Sequence, residues 1–352
     1  MTERTTAGAP GGPVPPLRIA CFGELLLRLG APGRERLLQS ARLDVHVGGA
    51  EANVAVSLAR FGHDARMLTT VPRNALGDAA LAELRRQGVD CAGAVRRSGR
   101  MGLYFLESGA GTRASTVLYD RAGSAFALAP PESYDWPALL AGVAALHLSG
   151  VTPALGANGA EVAIAAARAA RELGLSVSFD GNYRQTLWQA WDGDPRAILP
   201  RIAECADTLF ADARDVALLC GHASTERDPI AAIEAAARAA FAAFPTVQRM
   251  ATTIRNARDV EHHELAAVLV TRSRTHAVPA RGTGGIVDRI GGGDAFAAGL
   301  LHGLHAGLGE EGALDFALAA ACLKHSIPGD ANLCAVEDVL ALLEEPHRDV
   351  RR

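Results

Sequence analysis

The stretch Asp288-Arg289-Ile290-Gly291-Gly292-Gly293-Asp294-Ala295-Phe296-Ala297-Ala298-Gly299-Leu300 organises the reading of the whole chain. Three consecutive glycines open backbone conformations closed to other residues and keep side chains out of a ligand's way. An Ala- and Leu-rich run follows at once, so the glycines are expected at a helix N-terminus. Free N–H groups and the helix dipole favour an anion there. Asp294 can simply complement the dipole as a first-turn residue. It also stands where a base must stand to deprotonate an alcohol that attacks a phosphate.

A second glycine-rich helix entrance lies far upstream, Gly48-Gly49-Ala50-Glu51-Ala52-Asn53-Val54-Ala55, opening a helix to about Phe61. Taken alone it reads first as a plain strand-to-helix turn, which is common in α/β folds, and second as a place where a small ligand meets backbone, with the Asn53 amide turned to hydroxyls. Leu17 to Phe22 and Arg66 to Val71 are short apolar runs expected as buried strands. Gly30 to Val47 mixes charged and apolar residues as a half-exposed sheet would. Met101 to Glu107 and Ser115 to Arg121, joined by a Gly-containing loop, read as a hairpin. These segments predict a small sheet outside the main alternation.

From Ala144 onward strands and helices alternate: strands at 144–148, 175–180, 208–210 and 247–253, helices at 158–173, 196–205 and 230–243. A strand at 266–270 leads to a short hairpin, and helices at 294–303, 313–325 and 336–343 close the chain. The spacing predicts a mostly parallel sheet covered on both faces, hence an α/β fold. Ligands bind at the carboxyl ends of such strands. The loops expected there carry Asp180 to Arg184, Asp212 to Asp215, Thr252 to Arg255 and the glycine run.

Composition narrows the class. A net charge of −4 without a basic block speaks against nucleic acid. The six cysteines are scattered without a CxxC pair, which suits reduced thiols. No apolar run approaches the length of a membrane span. Residues 1–16 lack the apolar core of a signal peptide and read as a disordered leader, so a cytoplasmic protein is expected. No GxxxxGK[ST] and no GxSxG occur, and His262-His263-Glu264 lacks the second histidine of a zincin. What survives is an anion hole beside a carboxylate on an α/β sheet, the set that suits phosphoryl transfer.

Residues 288–299 resemble the C-terminal signature of the ribokinase-like (PfkB) sugar kinases, and residues 48–55 their N-terminal signature. Gly23 to Leu29, Met101 to Glu107, Tyr119 to Ala125, Phe179 to Arg184 and Lys324 to Asp330 are similar as well, with wording nearest the 2-keto-3-deoxygluconate kinase branch. The resemblance implies a ribokinase-like domain over residues 17–345, a mostly parallel sheet flanked by helices. A small β lid, from about 30–47 and 98–125, would close over the sugar. It implies Asp294 as catalytic base and Gly291, Gly292 and Gly293 as the anion hole. Gly49, Asn53, Tyr104, Tyr119, Arg121, Arg184 and Asp330 would hold an acidic sugar, whose carboxylate suits a guanidinium fork.

Two departures stand out. Where the family has an NxxE motif organising magnesium, this chain has Asp212-Ala213-Arg214-Asp215, so Asp212 and Asp215 are the candidates, acting through water. In place of a Thr-x-Gly nucleotide-loop start it has Thr252-Thr253-Ile254-Arg255, and Arg255 would meet the ATP phosphates. ATP and Mg²⁺ are thus the implied cofactors, with a monovalent cation such as K⁺ left open. The partner expected is a small acidic sugar, with no nucleic acid and no membrane. An exposed lid edge would let copies pair as a homo-oligomer, a dimer through the lid or larger. The activity implied is transfer of the ATP γ-phosphate to the terminal hydroxyl of 2-keto-3-deoxygluconate. The alternatives are a fructokinase or other neutral-sugar kinase, and a catalytically silent sugar-binding regulator on the same fold.

Overall fold

The computed structural model describes residues 15–221 and 223–344. The first half of the chain gives β1 (Arg18–Phe22), β2 (Leu26–Gly30), β3 (Asp44–Gly48), α1 (Ala50–Arg60), β4 (Asp64–Leu68), β5 (Thr70–Pro72), α2 (Ala75–Arg86), β6 (Val95–Arg97), β7 (Gly102–Glu107) and β8 (Thr116–Asp120). There follow α3 (Trp136–Leu139), β9 (Ala145–Ser149), α4 (Ala157–Glu172), β10 (Ser176–Asp180), α5 (Gln185–Trp188), α6 (Pro195–Ala203), β11 (Thr208–Phe210) and α7 (Ala213–Cys220). The last part holds α8 (Pro229–Ala243), β12 (Arg249–Ala257), β13 (His263–Thr271), β14 (Thr275–Thr283), α9 (Gly292–His305), α10 (Gly309–Lys324) and α11 (Val336–Glu344).

Eight strands form the main sheet in the order β14-β13-β12-β11-β10-β9-β1-β4. From β12 to β4 every pairing is parallel, while β13 and β14 close one edge as an antiparallel hairpin. Strand β1 shows why its whole run is apolar. Ala20 and Phe22 pack into a core with Ala163 and Ala167 of α4 and Ile202 of α6. Ile19 and Cys21 face the opposite core with Val54 and Leu58 of α1 and Phe316 of α10. Each fully covered large side chain contributes about 1.5–3 kcal/mol of transfer free energy, so a two-faced strand anchors the fold from both sides.

Helix α9 is fixed by unusually close packing on α10. A Cβ at Gly299 would stand 2.8 Å from the Ala317 Cα, and one at Gly303 would stand 2.6 Å from the Ala313 Cα. The glycines therefore let the two backbones approach, and this contact sets where the N-terminus of α9 points.

The second sheet has four strands in the order β3-β2-β7-β8. The expected hairpin is present as β7 and β8, antiparallel with Tyr104 opposite Tyr119. Residues 30–47 do not form the continuous half-exposed sheet expected of them. Only their ends lie in strands, because Pro32-Gly33 interrupts the run and Leu38 takes a left-handed φ of 63°. The strand missed there is β2, which pairs antiparallel with β3 and parallel with β7.

Of the predicted leader, residues 1–14 lie outside the described residues, as does residue 345. All six cysteines are described, and no disulfide joins them. Among the described residues no helix is long and apolar enough to cross a membrane.

Candidate active site

Gly291 is the N-cap of α9, with φ 80°, and a Cβ there would fall 1.8 Å from the Asp330 carbonyl oxygen. Only glycine fits. Gly292 and Gly293 then open the helix, the Gly292 N–H making one long bond of 3.4 Å to the Arg289 carbonyl and the Gly293 N–H unused by the helix, and Asp294 stands in its first turn. The start of α1 meets this point from the other side, where the Asn53 side-chain amide donates to Asp294 Oδ2 at 2.7 Å. Burial raises the Asp294 carboxyl to about 7, against the pull of Asn53 and Arg184 and with help from Glu51 and Asp330. A carboxylate poised near neutral pH can exchange a proton in either direction.

Two cavities meet at this helix start. One, of about 600 Å³, runs from Asp294 and Gly49 to Tyr119, Arg121 and Arg184. The other, of about 700 Å³, is lined by Thr252 to Arg255, Phe296 and Ala321. Asp180, Asp215, Gly292 and Gly293 border both. The site is therefore a two-compartment cleft with the glycine N–H groups and Asp294 at the junction. The small sheet walls the first compartment through Leu26, Tyr104, Val117 and Tyr119.

The residues singled out in the sequence do converge, though not all of them are free. Arg184 is exposed beside Asp294, and none of the ion pairs among the described residues occupies it. The loop that carries it bends at Asn182, whose φ is 35°, a left-handed conformation stabilised by its N–H donating to Asp180 Oδ1. Arg121 is instead buried, and its Nε donates to Glu24 Oε2 at 2.6 Å. Ser124 also donates to Glu24. Arg121 still borders the cleft, but one edge of its guanidinium is committed.

Tyr104 and Asp330 are committed to each other: the phenol donates to Asp330 Oδ2 at 2.6 Å, and both residues are buried. Tyr119 lies beside Tyr104 with ring centroids 6.3 Å apart and faces the cleft. Gly49 caps α1 and Arg255 is exposed on β12 at the junction of the cavities.

Asp212 and Asp215 fall at the start of α7, a helix that the sequence reading placed in a loop. Asp212 is its N-cap, accepting from the N–H groups of Arg214 and Asp215, while Asp215 accepts from the N–H of Asp212. This is a capping box with Asp in place of the usual Glu. Arg214 is held by Asp212 at 2.7 Å.

Several further residues belong to the site. Asp180 sits between Asp294 and Asp215, and burial followed by those two charges holds its carboxyl well above the ordinary range. Arg289 borders both cavities near Arg255 and is paired with no carboxylate among the ion pairs described. Burial and the neighbouring Arg255 both lower its pKa, the mark of two cations converging on one place. Glu24, Arg28 and Asp288 form the support: Arg28 reaches Asp288 at 2.6 Å and Asp330 at 2.9 Å from a nearly closed interior. Arg28 signalled itself in sequence only as a charge inside an apolar strand, whereas Asp288 stands at the head of the glycine run.

Massed carboxylates that raise one another's pKa are the chemistry of a cation site. Yet among the described residues no group of three or more potential ligand side chains gathers closely enough to hold a metal alone. Both observations fit a hydrated Mg²⁺, which keeps several waters and leans on one or two carboxylates plus phosphate oxygens.

The pfkB family carbohydrate kinase pattern matches residues 17–337 of this chain. The chain belongs to that family. A 2-dehydro-3-deoxygalactonokinase from Haloferax volcanii is 32% identical over 327 residues, 92% of this chain and 96% of its own. A 2-dehydro-3-deoxygluconokinase from Bacillus subtilis is 26% identical over 336 residues, 94% and 96% of the two chains. The crystal structure of a 2-dehydro-3-deoxygluconokinase from Thermotoga maritima superposes with a TM-score of 0.88 at 36% identity, covering 93% of this chain and 99% of that one. This PfkB protein thus has the ribokinase-like fold and is a carbohydrate kinase acting on a small sugar. Kinases of this family use ATP with Mg²⁺, and the silent-regulator reading falls away.

Proposed function

We propose that the acceptor is a 2-keto-3-deoxy aldonic acid, 2-keto-3-deoxygluconate in the first place, phosphorylated on its terminal hydroxyl to give the 6-phosphate. The observation that supports an acidic sugar is Arg184, exposed beside Asp294 in the first cavity with its guanidinium in no ion pair among the described residues. A guanidinium can hold the sugar's carboxylate at one end while Asp294 meets the hydroxyl at the other.

In this reading Asp294 removes the hydroxyl proton as the oxygen bonds to the γ-phosphorus. The bond from that phosphorus to the β,γ-bridging oxygen breaks, and ADP leaves with the electron pair. The N–H groups at Gly292 and Gly293 would meet the transferred phosphoryl oxygens, and Arg255 and Arg289, which border both compartments at the junction, would meet the ATP phosphates. Asp180 and Asp215 would hold Mg²⁺, which would supply neutralisation of phosphate charge. The small sheet acts as a lid that excludes water, which otherwise competes as acceptor.

The Haloferax volcanii relative gives a specific reason to weigh the C4 epimer, 2-keto-3-deoxygalactonate, beside the gluconate. ADP release with ATP and Mg²⁺ against both epimers, fructose, ribose and gluconate tests the reading. Turnover confined to the keto-deoxy acids supports it, and the ratio between epimers assigns the branch. Preference for fructose or ribose removes the carboxylate role of Arg184.

A further inference from the structure

Lys324, the last residue of α10, has a side chain that is 0% exposed, the rarest fate for a lysine. The phosphoryl-transfer scheme above gives it no role. Its ammonium donates to two main-chain carbonyls, Ile327 O at 2.9 Å and Asp288 O at 3.4 Å. Those carbonyls come from two different loops that meet behind the glycine run. The same loops are laced by the Val287 N–H donating to His325 O at 2.9 Å and the Gly329 N–H donating to Asp288 Oδ2 at 3.0 Å. The Lys324 Cε lies 3.4 Å from where a Cβ of Gly291 would stand, so its charge sits directly beneath the anion hole.

Charge balance gives this position a purpose. Below the hole lie two buried carboxylates, Asp288 and Asp330, and one guanidinium, Arg28, that pairs with both. Without another cation the cluster would carry a net negative charge under the place where phosphate must arrive. Burial lowers the pKa of Lys324, while Asp288, Asp330 and Asp294 pull it up. The ordinary lysine value is about 10.4, so a fall of roughly three units would be needed to discharge it at neutral pH.

We propose that the Lys324 ammonium is a built-in monovalent cation for the anion hole. It holds the two loops together through their carbonyls and cancels the negative charge beneath Gly291, so that phosphoryl transfer needs no K⁺. The main-chain carbonyls behind the glycines, which could otherwise attract a monovalent cation, are met by a side-chain ammonium. Lys324 is a positioning residue, since its contacts are with carbonyls of the loops that shape the hole. The proposal rests on the kinase reading for its catalytic consequence but not for the cation exchange itself.

The test measures turnover and thermal midpoint in a tetramethylammonium buffer, with and without K⁺ or NH₄⁺, for the unaltered enzyme, Lys324→Ala and Lys324→Met. The unaltered enzyme is expected to change by less than about twofold on adding K⁺. Lys324→Ala should lose roughly a hundredfold in kcat with the sugar KM little moved, about the cost of disabling one anion-hole donor. K⁺ or NH₄⁺ should restore part of that loss and raise the midpoint of Lys324→Ala, because the vacated carbonyls can hold the ion. Lys324→Met fills the space without charge, and should be impaired and unresponsive. Strong K⁺ activation of the unaltered enzyme overturns the proposal, as does a Lys324→Ala or Lys324→Met enzyme with normal kcat in the absence of K⁺. If Lys324→Ala does not fold, the unaltered enzyme and Lys324→Met still decide. If no sugar is phosphorylated, the functional reading fails alone, because a midpoint shift confined to Lys324→Ala is read without substrate.

Discussion

The Asn53 side-chain amide donates to Asp294 Oδ2 at 2.7 Å, linking the first turn of α1 to the first turn of α9 across 241 residues of chain. The bond restrains one carboxylate oxygen and works against the burial that lifts Asp294 to about 7. A base with that pKa is half ionised near neutrality, so kcat/KM should climb with pH along a limb near 7 and then level off. Asn53→Ala removes a bond that favours the ionised form and should move the limb upward. Asp294→Asn should lower turnover by about two to four orders of magnitude while the fold persists. Kinetics across neutral pH on the three proteins check this. Near-normal turnover in Asp294→Asn would take the residue out of the mechanism.

The same carboxyl makes a prediction about stability. An acid whose folded pKa is raised holds its proton in the native state after the unfolded chain, near 3.9, has released it. Stability is therefore lost as pH rises from about 4 to about 7 and stays reduced above that. The penalty at alkaline pH is on the order of 2–4 kcal/mol, from a shift of about three units discounted for partial access to the cleft. Asn at this position has no such titration. Asp294→Asn should melt a few degrees higher than the unaltered protein at pH 8, and the gap should close toward pH 4. Equal midpoints at both pH values would show that the burial cost is absent.

How much of this could be read from the chain alone depended on distance along it. The glycine run and Asp294 were legible because the chemistry and the helix start share four adjacent residues, Gly291 to Asp294. The β7–β8 hairpin was legible for the same reason, with alternation on both arms of one short loop. Asp212 to Asp215 were equally local, yet their capping role was missed, since the Asp-x-x-Asp pattern was weighed only as a metal motif. Arg121 was expected to be available to a sugar carboxylate. What it meets first is Glu24, 97 residues away, and no period in the sequence announces that pair. Arg28 is the extreme case. It looks like a charge interrupting an apolar strand, and only the fold brings it between Asp288 and Asp330.

Arg184 and Arg121 should therefore behave differently when truncated. Arg184→Ala removes an exposed guanidinium that makes no ion pair or side-chain hydrogen bond among the described residues, so the melting temperature should hardly move. If it meets the sugar's carboxylate, its loss should raise KM for the acidic substrate roughly tenfold to a hundredfold, the worth of a charged hydrogen bond. Arg121→Ala strands Glu24 in an interior where it is 1% exposed. Breaking a buried pair on one side costs about 3–5 kcal/mol, so this variant should melt much earlier. The double variant Arg121→Met with Glu24→Gln should recover much of that stability without recovering substrate affinity. Melting curves and KM for all variants separate the two roles. A stable Arg121→Ala with a raised KM would reassign that arginine to direct substrate contact.

The three glycines at the start of α9 should not be equivalent either. At Gly291 the φ of 80° and the Asp330 carbonyl 1.8 Å from a Cβ leave no room for alanine. Gly291→Ala must displace the loop that carries Asp330, and with it the Tyr104 and Arg28 contacts. It should cost several kcal/mol and nearly all activity. Gly293 has no atom within 4 Å of its Cβ position and borders both cavities. Gly293→Ala should fold normally, and slightly gain in helix propensity, since Ala is favoured over Gly by about 1 kcal/mol inside a helix. Its methyl group would, however, project into the junction of the two cavities, where the proposed reaction moves the phosphoryl group. The expected result is an unchanged or higher melting temperature with turnover reduced by at least roughly tenfold, the cost of about 1.4 kcal/mol at the transition state. A Gly293→Ala enzyme with unimpaired kcat and ATP KM would mean that the phosphoryl group does not approach the helix through this face.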